Sequence, residues 1–168
     1  SRLRAFAVGA TVATSLRVWT ARISYRGADR LDVTRKSKDA IGLAFAPSES
    51  ILWPTLELRH VSEALCNAAA LARKNGADER VAEGEKAARI IEDAAWKLYT
   101  PLYLAEQRVG YGSRKTPGIL RYAWDNVLAR EEVTFCCFCN LATCMGHCHR
   151  LLLAGAFEKL GATYLGER

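Results

Sequence analysis

Residues 133–150 read V-T-F-C-C-F-C-N-L-A-T-C-M-G-H-C-H-R, and how this stretch divides decides the fold. Residues 133–138 are a continuous apolar run with β-branched and aromatic members, as in a central strand covered on both faces. Residues 140–146 are loop. A helix is expected over roughly 148–160, with Leu151, Leu152, Ala156, Phe157 and Leu160 facing inward and Gly161 stopping it. Strand, loop and helix in this order form the repeating step of a parallel sheet, and residues 162–165 can return to that sheet as a further strand.

Upstream, residues 17–24 alternate imperfectly between Trp19, Ala21, Ile23 and Val18, Thr20, Arg22, which predicts a strand. A turn at 25–30 leads to a second short strand at 31–34, followed by the polar run 35–39. Ser48 or Ser50 can cap a helix reaching about Lys74, in which Pro54 is tolerable only near the first turn. Asp78 caps another, where Val81, Ala88, Ile91, Ala95, Leu98 and Leu102 recur at helical spacing and Pro101 is expected to end or kink the element. Thr116 and Pro117 open a helix that buries Ile119, Leu120, Trp124, Val127 and Leu128. These elements predict a single α/β domain over residues 1–168: a small, largely parallel sheet flanked by helices, Rossmann-like, with a helical expansion around 50–110.

At 168 residues, half apolar and a quarter charged, the chain is long enough to bury about 68–70% of its unfolded surface without cross-links. Its six cysteines therefore call for another explanation, and five of them lie between Cys136 and Cys148. Such a local cluster points to reactive or metal-binding thiols in a reducing compartment and to a cytoplasmic location. The uncharged stretch 5–16 is shorter than the roughly 18 apolar residues of a membrane span, so no membrane association is expected and the stretch reads as folded N-terminal structure. Residues 1–38 hold nine Lys/Arg against two Asp, while the other 130 residues hold 15 basic and 16 acidic groups. A basic N-terminal segment on a near-neutral body suits a phosphate-bearing partner.

Cys148, His149 and Arg150 stand at a helix start, where free N–H groups and the positive dipole end favour anions and lower thiol pKa values. With the turn that carries Asp32, Arg35, Lys36 and Ser37, they can form a phosphate site at the carboxyl edge of the sheet. Arg35 and Arg150 would hold anionic oxygens there, and Asp32 or His149 would act as general base. Cys139, Cys144 and Cys148 with His147 or His149 can instead bind zinc, Cys136-x2-Cys139 being the close pair. Cys144 to Arg150 also matches a Cys-x5-Arg phosphate loop, in which the thiolate attacks phosphate and the arginine clamps it. At least one of Cys136 and Cys137 is expected to be a small buried hydrophobe. His60, Glu106 and Arg108 are weaker candidates, and the four tryptophans read as core. No Gly-x-Gly-x-x-Gly or Walker loop is present to support a standard dinucleotide or ATP site.

The combination of Asp32-Val33-Thr34-Arg35-Lys36-Ser37, Ala44-Phe45-Ala46-Pro47-Ser48, Tyr103-Leu104-Ala105-Glu106, Trp124-Asp125, the cysteine-rich strand end with Cys148-His149-Arg150, and Leu160-Gly161-Ala162 resembles the domain of unknown function 488 family over roughly residues 18–168. The resemblance implies a compact α/β domain in which Asp32, Arg35, Cys139, Cys148, His149 and Arg150 match shared positions. It implies no established reaction. The loop between Cys139 and Cys148, with Cys144 and His147, is longer than the family pattern, and residues 50–100 are expanded.

Overall fold

A computed structural model describes residues 15–109, 117–141 and 146–168. Four strands, β1 (Arg17–Arg22), β2 (Arg30–Asp32), β3 (Glu132–Cys137) and β4 (Thr163–Glu167), form one sheet in the order β2-β3-β1-β4, and all its pairings are parallel. The helices are α1 (Ala40–Phe45), α2 (Glu49–Lys74), α3 (Asp78–Val109), α4 (Pro117–Leu128) and α5 (His149–Glu158). The protein is thus mixed α/β with the 133–138 run at its centre, as the uninterrupted apolarity of that run predicts. None of the described helices is long and apolar enough to cross a membrane. The expected structure before residue 15 and the Thr116 cap lie outside the described residues.

Strand alternation divides the sheet into two chemically different faces. On one, Val18, Leu31, Val133 and Phe135 meet Phe45 of α1, Leu120, Ala123 and Val127 of α4, and Leu153, Ala154 and Phe157 of α5 in the main hydrophobic core. Phe45 is the hub, packing edge-on against Trp124, Phe135 and Phe157 at centroid distances of 5.3, 6.3 and 5.9 Å. The other face holds a polar array. Thr134 donates its hydroxyl to Asp29, whose other carboxylate oxygen accepts the Tyr25 hydroxyl at 2.8 Å. Arg168 lies over the Trp19 ring at 4.1 Å and reaches Asp29 at 3.0 Å. The β1–β2 connection therefore crosses β3 on this polar face with no helix of its own, far shorter than the dozen or more residues that parallel crossovers usually take.

The N-terminal helix α1 was not foreseen from the sequence. Asp39 caps it by accepting the N–H groups of Ile41 and Gly42, and Gly42 packs so closely that an added Cβ would fall 2.0 Å from the Asp32 carbonyl oxygen. Only a glycine lets this helix seat on the end of β2. Helices α2 and α3 form a long antiparallel hairpin, and α3 does not end at Pro101. It runs through Pro101 to Val109, because Tyr99 and Tyr103 are buried on either side of the proline and tertiary packing overrides the lost hydrogen bond. Val81, Ala88 and Ala95 are buried as their spacing predicts, but the inward face then follows a different set: Leu98 and Leu102 are 64% and 51% exposed, whereas Glu92, Tyr99, Tyr103, Glu106 and Gln107 are buried. These inward groups have partners. The Tyr103 hydroxyl donates to the Phe45 carbonyl at 2.9 Å, and Glu106 accepts the Ser48 N–H at 3.0 Å, at the start of α2.

Burial pulls the Asp29 carboxyl upward, but the hydrogen bonds from Thr134 and Tyr25 outweigh it and hold the group below the ordinary aspartate value. A depressed carboxylate contributes stability that is complete above about pH 4 and is lost as pH falls through its lowered folded value. Thr134→Val keeps the shape and removes the donor. Its expected cost is about 1.5–3 kcal/mol by urea denaturation at pH 7, and the difference from wild type should shrink as the acid range is entered. An unchanged difference at low pH would show that Asp29 does not carry this dependence.

Candidate functional site: a thiol–imidazole cluster at the carboxyl end of the sheet

Strand β3 and helix α5 deliver the cluster through opposite ends of one loop. Consecutive strand residues face opposite ways, so Cys137 shares the helix-covered face with Phe135, whereas Cys136 points to the other face beside Asp32 and Ala21, its register partners. Cys136 is the small buried hydrophobe: its thiol donates to the Thr134 carbonyl at 3.5 Å, and burial pushes its pKa up to about 11. Cys148, in extended conformation, is the N-cap of α5, and His149 is the first helical residue. Cys137, Cys148 and His149 are all buried and offer donor atoms within 4.8 Å of one another. Cys139 Sγ is 3.8 Å from Cys137 Sγ.

The His149 ring is fixed on both sides. Nε2 donates to the Val33 carbonyl at 3.0 Å, which turns Nδ1 toward the thiols, 3.8 Å from Cys137 Sγ and 4.0 Å from Cys148 Sγ. Tyr103 meets the ring edge-on at 5.6 Å. Hydrogen bonds from Cys139 and Cys148, and the neighbouring imidazole, hold the Cys137 thiol far below the ordinary cysteine value against the opposing pull of burial. Cys148 is pushed the other way by those same thiol contacts and by burial. One thiolate among protonated thiols is the state this arrangement favours.

Arg150 is fully buried, an unusual place for a guanidinium. Its Nη1 donates to the Cys139 carbonyl at 2.9 Å and contacts Cys148 Sγ at 3.6 Å, and its Nη2 pairs with Glu167 of β4 at 2.5 Å. From the other side, Arg59 of α2 donates to the His147 carbonyl at 2.9 Å, contacts Cys139 Sγ at 3.8 Å and pairs with Glu92 at 2.8 Å. The His147 ring stacks on Trp96 with centroids 4.9 Å apart. Arg59, Glu92 and Trp96 carried no local sequence signal, because they are brought to the loop by the α2–α3 hairpin. Cys137 did carry one: strand alternation from Phe135 places it on the core face.

The residues expected to form one phosphate site are distributed over two neighbouring places. Lys36, Ser37 and Asp32 line a depression of about 350 Å³ with Arg30, Lys38 and Asp39. Cys148, His149 and Arg150 lie in the buried cluster, and the Val33 carbonyl joins the two. Arg35 turns to the Pro47 carbonyl at 3.1 Å and to Glu49, while Arg150 is committed to the loop and β4, so the two arginines do not meet. Cys144, the proposed ligand and phosphatase-type nucleophile, lies outside the described residues. His60 and Arg108 are exposed, and Glu106 is the buried acceptor at the start of α2.

No family model, curated protein or solved structure matches the chain. The chemistry is therefore read from the geometry alone.

Removing one partner of a buried ion pair leaves an uncompensated charge and typically costs about 3–5 kcal/mol. Arg150→Met is expected to fall in that range by denaturant unfolding, and Glu167→Gln to cost less because that carboxylate is a third exposed. Equal, small effects from both would show that the pair does not anchor the loop to β4.

Proposed function

We propose that the protein binds a phosphate-bearing ligand, a nucleotide or nucleic acid, in the depression at the carboxyl ends of β2 and β3. One observation carries this reading: Arg30, Lys36 and Lys38 converge there, where ligands bind in parallel α/β sheets. Both acidic residues of the depression are engaged, Asp39 in capping α1 and Asp32 in accepting the Thr34 N–H at 2.9 Å while lying 3.8 Å from Arg30. Next to them Phe138 leaves β3 with 51% of its surface exposed, and the Lys36 ammonium stands 5.5 Å from its ring centroid. A half-exposed aromatic beside basic side chains suits a base stacked on the ring and phosphates on the lysines.

The Rossmann-like character of the sheet, the cytoplasmic setting and membership of the domain of unknown function 488 family belong to the same proposal. They are supported by the all-parallel strands, by the reduced thiols, and by the way the Asp32-Val33-Thr34-Arg35 and Cys148-His149-Arg150 motifs adjoin through the His149–Val33 hydrogen bond.

The test titrates labelled single- and double-stranded oligonucleotides, free nucleotides and inorganic pyrophosphate into wild type, Phe138→Ala and the Lys36→Gln/Lys38→Gln double variant, at two salt concentrations. For an oligonucleotide, loss of two phosphate contacts should lower the salt slope by about two. Phe138→Ala should weaken the base-bearing ligands by about 1–3 kcal/mol and leave pyrophosphate unaffected. Absence of binding to all of these, or binding untouched by either variant, overturns the reading.

A further inference from the structure

From the cluster's geometry we infer that Cys137, Cys139, Cys148 and His149 form a zinc site, closed by protein ligands and independent of whatever occupies the depression. Three donors, Cys137, Cys148 and His149, already lie within 4.8 Å of one another, and Cys139 adjoins them through Cys137. Bonds of about 2.3 Å to sulfur and about 2.0–2.1 Å to nitrogen put sulfur–sulfur edges near 3.8 Å and sulfur–nitrogen edges near 3.6 Å. The cluster shows 3.8 Å for Cys137 Sγ to Cys139 Sγ, and 3.8 and 4.0 Å from His149 Nδ1 to Cys137 Sγ and Cys148 Sγ. Adjustments of a few tenths of an ångström complete the geometry on these edges.

The surroundings are those of a metal centre. A ligating histidine characteristically donates its other ring N–H to a carbonyl or carboxylate, and His149 does so to Val33. Arg150 contacts Cys148 Sγ and Arg59 contacts Cys139 Sγ, so two guanidinium groups face sulfurs that would carry negative charge on an ion. Three thiolates exceed the charge of Zn²⁺ by one, and N–H···S contacts of this kind stabilise that excess. Binding forms four coordinate bonds and releases up to three thiol protons to solvent, with no redox change and no co-reactant. A Cys-x-Cys pair on the strand end and a Cys-His pair on the helix start supply the ligands. The set shares Cys139, Cys148 and His149 with the one read from spacing, and Cys137 takes the place given there to Cys144. Cys136 is excluded by facing away.

The decisive experiment equilibrates reduced wild-type protein with zinc and measures bound metal after desalting. It is paired with alkylation of each cysteine, read by mass spectrometry before and after a chelator. One equivalent of zinc is expected, with Cys137, Cys139 and Cys148 becoming alkylated only after chelation and the exposed Cys66 alkylated in both states. Cobalt substitution should give thiolate-to-cobalt charge-transfer absorption. Cys137→Ser and Cys139→Ser should each weaken binding by more than about 100-fold, beyond the range for outer partners, whereas Cys136→Ser and Cys66→Ser should bind as wild type. Less than about a tenth of an equivalent of zinc, or an alkylation pattern indifferent to chelator, overturns the inference even where the serine variants fail to fold. Binding lost in Cys144→Ser but kept in Cys137→Ser overturns the ligand assignment.

Discussion

The hydrogen bond from His149 Nε2 to the Val33 carbonyl joins segments 116 residues apart, and the organisation of the sheet's carboxyl end depends on it. It ties the first residue of α5 to the chain leaving β2, across the intervening β3. The same bond keeps a proton on Nε2 and turns Nδ1 toward the thiols. Without it, Cys137 and Cys148 would still be buried, but no basic nitrogen would be held against them. A single main-chain acceptor thus connects the polar turn after β2 to the chemistry of the β3–α5 loop.

Around that bond the charges are arranged by burial. A guanidinium with no solvent contact must find its acceptors within the protein, and Arg150 finds them in the Cys139 carbonyl and in Glu167. This makes the last strand part of the site: β4 carries Glu167, and the adjacent Arg168 ties the chain end to the polar face through Asp29 and Glu132. Consecutive residues near the C-terminus therefore brace opposite faces of the sheet. The apolar core between the helices and Val18, Leu31, Val133 and Phe135 provides the rigid frame on which both sets are positioned.

The parts of the fold legible in the sequence are those where one physical signal dominates. The 133–138 run is apolar whichever way it faces, and the 117–128 helix opens on its proline and buries Leu120 and Val127, although Ile119 is exposed. The last helix forms where expected but in another phase: Leu153, Ala154 and Phe157 are buried, whereas Leu151, Leu152 and Ala156 are half-buried and Leu160 is exposed. Helix α3 shows where the same reasoning stops: it places Val81, Ala88 and Ala95 inside correctly and fails beyond them. Its leucines at 98 and 102 look like core by spacing, but the face turned inward carries tyrosines and carboxylates whose partners on α1, α2 and the 147–149 segment are invisible locally. Helix α1 was lost for another reason: six residues are too few to show a period, and its signal was Asp39 alone. In the site, adjacency in sequence revealed Cys148, His149 and Arg150, whereas Cys137 was hidden behind its neighbour Cys136. Only alternation within the strand distinguishes the two.

The α2–α3 hairpin reads in the sequence as an expansion, yet it forms one wall of the cluster. Arg59 on one arm and Glu92 and Trp96 on the other converge on the 139–147 loop, by ion pair, by N–H donation to the His147 carbonyl and by ring stacking. On α3, Trp96, Tyr99 and Tyr103 stack in succession at 5.6 Å, and the last of them meets His149. Backbone between a strand and a helix, outside any ladder, is ordinarily among the least stable parts of a domain. Here a side chain from each arm of the hairpin grips it, while Arg150 holds it from within. The hairpin's length is thus tied to the site: the segment between Arg59 and Glu92 must be long enough to fold back on itself, so that two residues 33 apart in sequence reach the loop together.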